Sequence, residues 1–453
     1  MNPKSSFIIA VVIFIYSFNI QLNIPGTSIS LPAYDLFIGF IVLFYLYGTN
    51  LYININSCVR LYITKISIGL LILFFLTMAS IIVGVFIYND EISLRDLNSA
   101  LIYLRLIFYI LVGAVLASNV ENYKKHFSYR ISNLIILSVC YMVCIAILQY
   151  MAHQAVHIPL LSQLALSYVD MERYPWIRVV GTVGNPNWNS LDLNIVGSAI
   201  FSMLIISIYK RNIHRLIIMM ILNTILFWLI LVVFSRTGII SYFLLFSLFL
   251  LFVAKKLKGS SIKAKGLSVV AIPLVLLLFT TAGISTYKKH TNVIQRRIDA
   301  TIKIEELGQR ASLWTYRLET SMDRFPLGIG PSRDRLQDVV DSAFISVLGN
   351  AGVLGLIIYG IVMLFLIFKP LSLTGGKLSI EMYAMLYFAV ALGVLTMCYS
   401  LTADFARNLR ASSLIFMLHS FFCCRVLCFL KNRNMSPIRI GASQRYSIKK
   451  ESV

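Results

Sequence analysis

Crossing the hydrocarbon core of a bilayer takes about 20 consecutive, mostly apolar residues in a helix, and this chain is built almost entirely from stretches of that kind. About twelve can be marked: 6–20, 31–48, 66–88, 98–117, 131–151, 187–209, 216–234, 238–254, 267–284, 341–368, 381–400 and 411–430. Hydrophobic residues make up 58% of the sequence and charged residues 13%, against about 25% charged in soluble domains; mean hydropathy is +0.81. The expected fold class is an all-α polytopic membrane protein. No small-residue cleavage site follows the first stretch, so it reads as a retained helix rather than a removed signal peptide.

The formal charge of +21 suits nucleic acid or a membrane protein oriented by its basic loops, and this composition favours the second, with no nucleic-acid partner. If the N-terminus is cytoplasmic, alternating segments collect about 23 basic residues inside against about six outside. The inside set includes Lys124, Lys125 and Arg130; Lys210, Arg211 and Arg215; Lys255 to Lys265; and a tail rich in Lys and Arg from Arg425. Both termini are then expected inside, with the long segment before residue 341 outside. The organisation reads as 1–284 for helices one to nine, 285–340 for the outer loop, 341–430 for the last three helices and 431–453 for a basic cytoplasmic tail.

The outer loop is the anomaly. It holds ten basic residues between Lys288 and Arg335 and eight carboxylates between Asp299 and Asp341. Ile298, Ile302, Leu313, Tyr316 and Leu318 recur at helical spacing, which predicts one or two amphipathic helices. Pro326, Gly328, Gly330 and Pro331 then form a turn back into the bilayer. A second outer segment, 152–186, mixes charge and aromatics around Arg173 and Arg178. It ends in Asn185-Pro186, a pair suited to opening a helix.

The seven cysteines include no CxxC pair and read as small buried hydrophobes. His153 and His157 share a helical face without a third ligand, so no metal and no cofactor are expected. Arginine on the outer side is what remains: Arg173, Arg178, Arg236, Arg310, Arg317, Arg324, Arg333 and Arg335. Its donor fork matches phosphate oxygens and keeps its charge. Arg236 lies in Ser235-Arg236-Thr237-Gly238, read either as a tight turn between antiparallel helices or as a break in one longer pair. It is either functional or an interfacial anchor. Arg105, inside the fourth stretch, reads as a packed, paired structural residue; Asp35 and Asp192 read as caps or interface partners.

At these residues the chain resembles the O-antigen ligase and polymerase superfamily of bacterial surface-polysaccharide assembly. The likeness lies in Gly181-Thr182-Val183-Gly184-Asn185-Pro186-Asn187, Ser235-Arg236-Thr237-Gly238, Arg310-Ala311-Ser312-Leu313-Trp314 and Pro326-Leu327-Gly328-Ile329-Gly330. It ends in a helix opening Asp341-Ser342-Ala343-Phe344 and passing Gly349, Gly352 and Gly355. Each string is short; their order relative to the apolar stretches is more specific.

The resemblance implies a metal-independent inverting glycosyltransferase of the class C type in the bacterial inner membrane, with its active site at the periplasmic face. Its donor would be a glycan on undecaprenyl pyrophosphate, held by Arg236 and Arg310. Arg317, Arg173 and Arg178 join them as substrate-binding candidates, and a chain-length regulator is an implied protein partner. Ligases of the superfamily carry a histidine where this chain has Asp341, which favours a repeat-unit polymerase over a ligase. Asp341 is left as a base, an orienting group or a helix cap. Polymerases are also described with Arg, ten residues and Gly in two outer loops. Arg173 to Gly184 and Arg317 to Gly328 fit, as does Arg297 to Gly308, though chance supplies about one such match. The alternative from another class is a transporter, which requires a polar path through the bilayer midplane.

Overall fold

Helices start and stop where the sequence carries the signals for it. The computed structural model describes residues 21–23, 30–32, 57–91, 94–118, 127–153, 186–233, 235–257, 304–330, 342–375, 378–402 and 409–448. A short antiparallel pair, β1 (Gln21–Asn23) and β2 (Ser30–Pro32), sets Leu22 opposite Leu31. The helices are α1 (Ser57–Tyr88), α2 (Leu94–Ser118), α3 (Phe127–His153), α4 (Pro186–Lys210) and α5 (Ile213–Val233). They continue with α6 (Arg236–Leu257), α7 (Ile304–Met322), α8 (Ala343–Ser372), α9 (Ile380–Thr402) and α10 (Leu409–Ile448).

Eight helices among the described residues are long and apolar enough to cross a membrane; the apolar part of α3, Ile135–Gln149, is shorter. Of the expected stretches, 6–20, 267–284 and nearly all of 31–48 lie outside the described residues, and the start of 31–48 is β2. The segment read as a separate tail continues α10 as far as Ile448.

The link between α4 and α5 shows the local chemistry. Arg211 adopts φ 56°, and the Asn212 and Arg211 N–H groups return to Ser207 O at 3.1 Å and Ile208 O at 3.4 Å. This left-handed stop satisfies carbonyls that the helix end leaves open. Asn212 then caps α5, its Oδ1 accepting the Arg215 N–H at 3.0 Å.

Where helices approach closely, small residues make room, as membrane packing requires without a hydrophobic drive between helices. Gly113 of α2 lies against the Met417 carbonyl of α10, and Gly393 of α9 against Leu366 O of α8, where a Cβ would come within 2.9 Å. Buried polar groups tie helices together. Tyr62 of α1 donates to His419 Nδ1 at 2.8 Å, while His419 Nε2 donates to Leu366 O at 2.7 Å. The carbonyl fixes the proton on Nε2, and the histidine clamps α1, α8 and α10 together.

Outward-facing sides are apolar. Leu61, Ile68, Phe75, Ile82 and Phe86 form an exposed stripe along α1, as expected of a helix whose outer face meets lipid. Arg105 stacks over Tyr109 one turn on, 5.8 Å from the ring centroid, in keeping with a structural role. The cysteines divide: Cys423 and Cys424 are buried, but Cys58, Cys140 and Cys144 are exposed. Treating all seven as buried was therefore wrong for these three, which lie on outer helix faces, where a small thiol is tolerated beside lipid as readily as in the core.

Candidate functional site

Side-chain contacts sort the helix ends into two sets. The starts of α4, α6 and α8 meet the ends of α1 and α9, while Lys210 at the end of α4 pairs with Glu381 at the start of α9 at 2.5 Å. Lys255 at the end of α6 reaches Thr374 Oγ1 beyond α8 at 2.7 Å. Lysine thus marks one end of the bundle, and the arginine motifs gather at the other.

Arg236 stands on a heavily braced turn. Tyr242 Oη donates to Asn223 Oδ1 at 2.8 Å, which sets α5 and α6 side by side as an antiparallel hairpin and rules out a single interrupted helix. Ser235 caps α6: its Oγ accepts the Gly238 N–H at 3.2 Å and donates to Asn187 Oδ1 at 3.0 Å. Ser190 Oγ lies 2.7 Å from Asn187 O, 3.1 Å from Ser235 Oγ and 2.7 Å from Tyr399 Oη. Asn194 Nδ2 donates to Ser190 O at 2.8 Å and to Gly238 O at 3.0 Å. Gly238 abuts Ser190 so closely that a Cβ there would overlap it. Arg236 itself is exposed in the first turn of α6, where free N–H groups and the helix dipole favour an anion.

The same turn of α9 reaches the start of α8. Tyr399 joins the Ser190 network, and the next residue, Ser400, accepts from Ser342 Oγ through its carbonyl at 3.2 Å. Ser400 Oγ also lies 2.9 Å from Tyr359 Oη. Two consecutive residues therefore join the Arg236 turn to the Asp341-Ser342 motif. Ser342, extended at φ −150° and ψ 127°, occupies the N-cap position of α8 and makes no side-chain capping bond. Asp341, read as a possible cap, lies outside the described residues.

On its other flank α8 is interrupted. Gly352 has φ 69° and ψ −167°, a conformation open essentially to glycine alone. The Pro326–Gly330 turn fills the notch. Ile329 and Gly330 N–H both donate to Gly349 O, at 2.9 and 3.1 Å, and Ser80 Oγ of α1 donates to Gly328 O at 3.3 Å. The Pro326 carbonyl occupies the space a Gly352 side chain would need.

The helix before this turn, α7, is amphipathic in an unusual sense. Arg317, Ser321 and, just beyond the helix, Arg324 are buried, whereas Trp314, Leu318, Met322 and Phe325 are exposed. Tyr316 and Leu318, expected as part of its apolar pattern, lie on exposed sides. A stripe that would turn inward in a soluble protein turns outward here, and the arginines take the protein side. Arg317 Nη1 comes 3.6 Å from the position a Gly349 Cβ would occupy.

Of the expected site residues, Arg236 and Arg317 are at the arginine end. Arg310 lies in α7 two turns before Arg317, with its side chain outside the described residues; Arg173, Arg178 and Asp341 lie outside them too. Ser190, Asn194, Tyr399 and Ser400 were not singled out from sequence. A signal existed: Asn187, Ser190, Asn194, Ser198 and Ser202 recur every three or four residues along α4. Ser198 and Ser202 bond back to Ile195 O at 2.7 Å and Ser198 O at 2.9 Å, so the stripe's deeper part is satisfied within its own helix. Among the described residues no three His, Cys, Asp or Glu side chains form a metal-ligand cluster.

Apart from the one short strand pair, the described residues are helical, and the architecture defines a multi-pass membrane protein. Compared with protein-family models the sequence matches none, and no curated protein matches it.

Proposed function

We propose that this protein is a polymerase of surface-polysaccharide repeat units at the periplasmic face of the bacterial inner membrane. It moves a growing glycan from undecaprenyl pyrophosphate to the non-reducing end of another lipid-linked repeat. The observation that carries the reading is the joining, through Tyr399 and Ser400, of the Arg236 turn to the segment that follows Asp341. Strings far apart in the chain meet at one end of the bundle, and each matches the resemblance.

The chemistry asks little beyond what such an end supplies. The acceptor hydroxyl oxygen attacks the anomeric carbon, the bond to the pyrophosphate oxygen breaks with its electron pair, and the configuration inverts. The hydroxyl proton passes to Asp341 or to solvent. Negative charge grows on the departing pyrophosphate, and preorganised donors stabilise it most where water is scarce. Arg236, on a turn held by hydrogen bonds with Asn187, Ser190 and Asn194, suits that task; Arg310 and Arg317 add charge from α7.

The test is polysaccharide chain length on gels in a strain deleted for the gene and complemented with variants. Deletion should leave single repeats. Arg236→Ala and Arg310→Ala should lose polymerisation at normal protein levels, by about 100-fold or more for removal of a preorganised donor. Wild-type ladders in both variants would refute the pyrophosphate assignment. Long chains left unattached to lipid A in the deletion strain would mark a ligase. Asp341→Asn tests the base role separately: loss of activity assigns it, and full activity leaves Asp341 as a cap.

A further inference from the structure

Arg324 follows the last turn of α7, and its Nη1 meets Asp90 Oδ2 at 2.7 Å across 234 positions of sequence. Both side chains are shielded, at 4% and 12% exposure, and the guanidinium carbon lies 3.6 Å from the centroid of the Tyr88 ring. The end of α1 is shaped to present the carboxylate. Asn89 takes φ 53°, and the Asp90 N–H folds back to Gly84 O at 2.9 Å. A side chain on Gly84 would stand 2.9 Å from Asp90 Oδ2 and 3.7 Å from Arg324 Nη1, so the glycine leaves room for the pair.

The same arginine organises the turn after it. Its carbonyl accepts the Leu327 and Gly328 N–H groups at 3.1 and 3.3 Å, and that turn then seats on Gly349. Upstream, Arg317 faces Gly349 from α7. Asp90 therefore grips the one point of this segment from which both the arginine-bearing helix and the docked turn extend. An arginine stacked on an aromatic ring holds direction as well as charge, which a lysine does not.

We propose that Asp90 and Arg324 form a latch that positions α7, holding Arg317 in register beside the notch in α8. Neither residue touches the reacting groups; they act through Arg317. The inference rests on the pyrophosphate reading only for what is being positioned, not for the latch itself.

Limited trypsinolysis of the purified full-length protein in detergent, with cleavage sites mapped by mass spectrometry, tests the latch without reference to activity. Arg317 is 5% exposed, so the bond after it should be cut slowly in the wild type. Asp90→Ala, which leaves every tryptic site in place, should speed that cut at least tenfold; Asp90→Glu should return it towards wild type. In the complemented deletion strain Asp90→Ala should shorten polysaccharide chains at unchanged protein level. Arg324→Lys, which keeps the charge and loses the fork, provides a second variant and should fall between the two. Equal protection of Arg317 in Asp90→Ala and Arg324→Lys overturns the latch. Faster cleavage with unchanged chain lengths overturns its positioning role. Faster cleavage in a protein whose wild type makes no polymer leaves the latch standing and removes the polymerase reading.

Discussion

The two ends of the bundle handle charge in opposite ways. At one, lysines lean on the surface: Lys210 is 42% exposed in its pair with Glu381, and Lys256 lies 5.2 Å over the Tyr383 ring. At the other, Arg317 and Arg324 are drawn inside, Arg317 towards Gly349 of the interrupted helix α8 and Arg324 onto Asp90 and Tyr88 at the end of α1. A lysine at a helix end snorkels to water at little cost and orients the protein. A buried guanidinium keeps its charge only where partners offset the lost hydration. Charge at the lysine end is thus largely solvated, whereas charge at the arginine end answers to neighbouring groups of α1 and α8. Substitutions at the two ends should differ accordingly.

The largest effect is expected at the notch. Alanine at Gly352 must adopt a conformation reserved for glycine, and its Cβ would occupy the place of the Pro326 carbonyl. Gly352→Ala should destabilise the protein by about 3 kcal/mol or more, read as a lower melting temperature in detergent, and should abolish polymer formation. Gly360, eight residues further along the same helix, has nothing within 4 Å of its Cβ position. Gly360→Ala should leave stability unchanged or raise it by up to about 1 kcal/mol. Equal melting temperatures for the two variants would mean that the docked turn contributes nothing to the fold.

That pair also shows what could be read in advance. Helices α4 to α6, α8 and α9 were legible to within a few residues, because apolar length and the stops at Arg211 and Ser235 are local properties. The turn at Pro326–Gly330 was legible as a turn for the same reason. Its seat on Gly349 was not: a run such as Gly349, Gly352 and Gly355 reads equally as a packing stripe or as a broken helix, and only the incoming carbonyl decides. Asp90 was illegible for another reason. Nothing local distinguishes it from an ordinary loop carboxylate, and its partner lies in a segment seated on α1 and α8 by contacts distant in sequence. The stripe from Asn187 to Ser202 was readable in principle, since five small polar residues at helical spacing in a membrane span imply a protein-facing side.

A smaller effect is expected where the arginine end is braced by neutral groups. Tyr399→Phe removes the hydroxyl that meets Ser190 Oγ at 2.7 Å but leaves Ser190 its contact with Asn187 O. Because Ser190 retains a partner, the loss should be about 1 kcal/mol. Loss of activity should exceed what that destabilisation explains if the network aims the Arg236 turn; the comparison is polymer length against melting temperature at a permissive growth temperature. Polymer lengths that track stability alone would reduce Tyr399 to a packing residue.

The smallest effect belongs to the lysine end, and it sharpens the contrast. Lys210 and Glu381 approach to 2.5 Å, yet the lysine is well exposed, so its charge is screened and its chain entropy opposes the contact. Such pairs contribute about 0–1 kcal/mol. Lys210→Gln should therefore shift the melting temperature by a degree or two at low salt, and less as salt rises, because screening already weakens the wild-type pair. Polymer length should not change. A large, salt-independent destabilisation would show that this pair is held as tightly as Asp90 and Arg324, and the contrast between solvated charge at one end and shielded charge at the other would then fail.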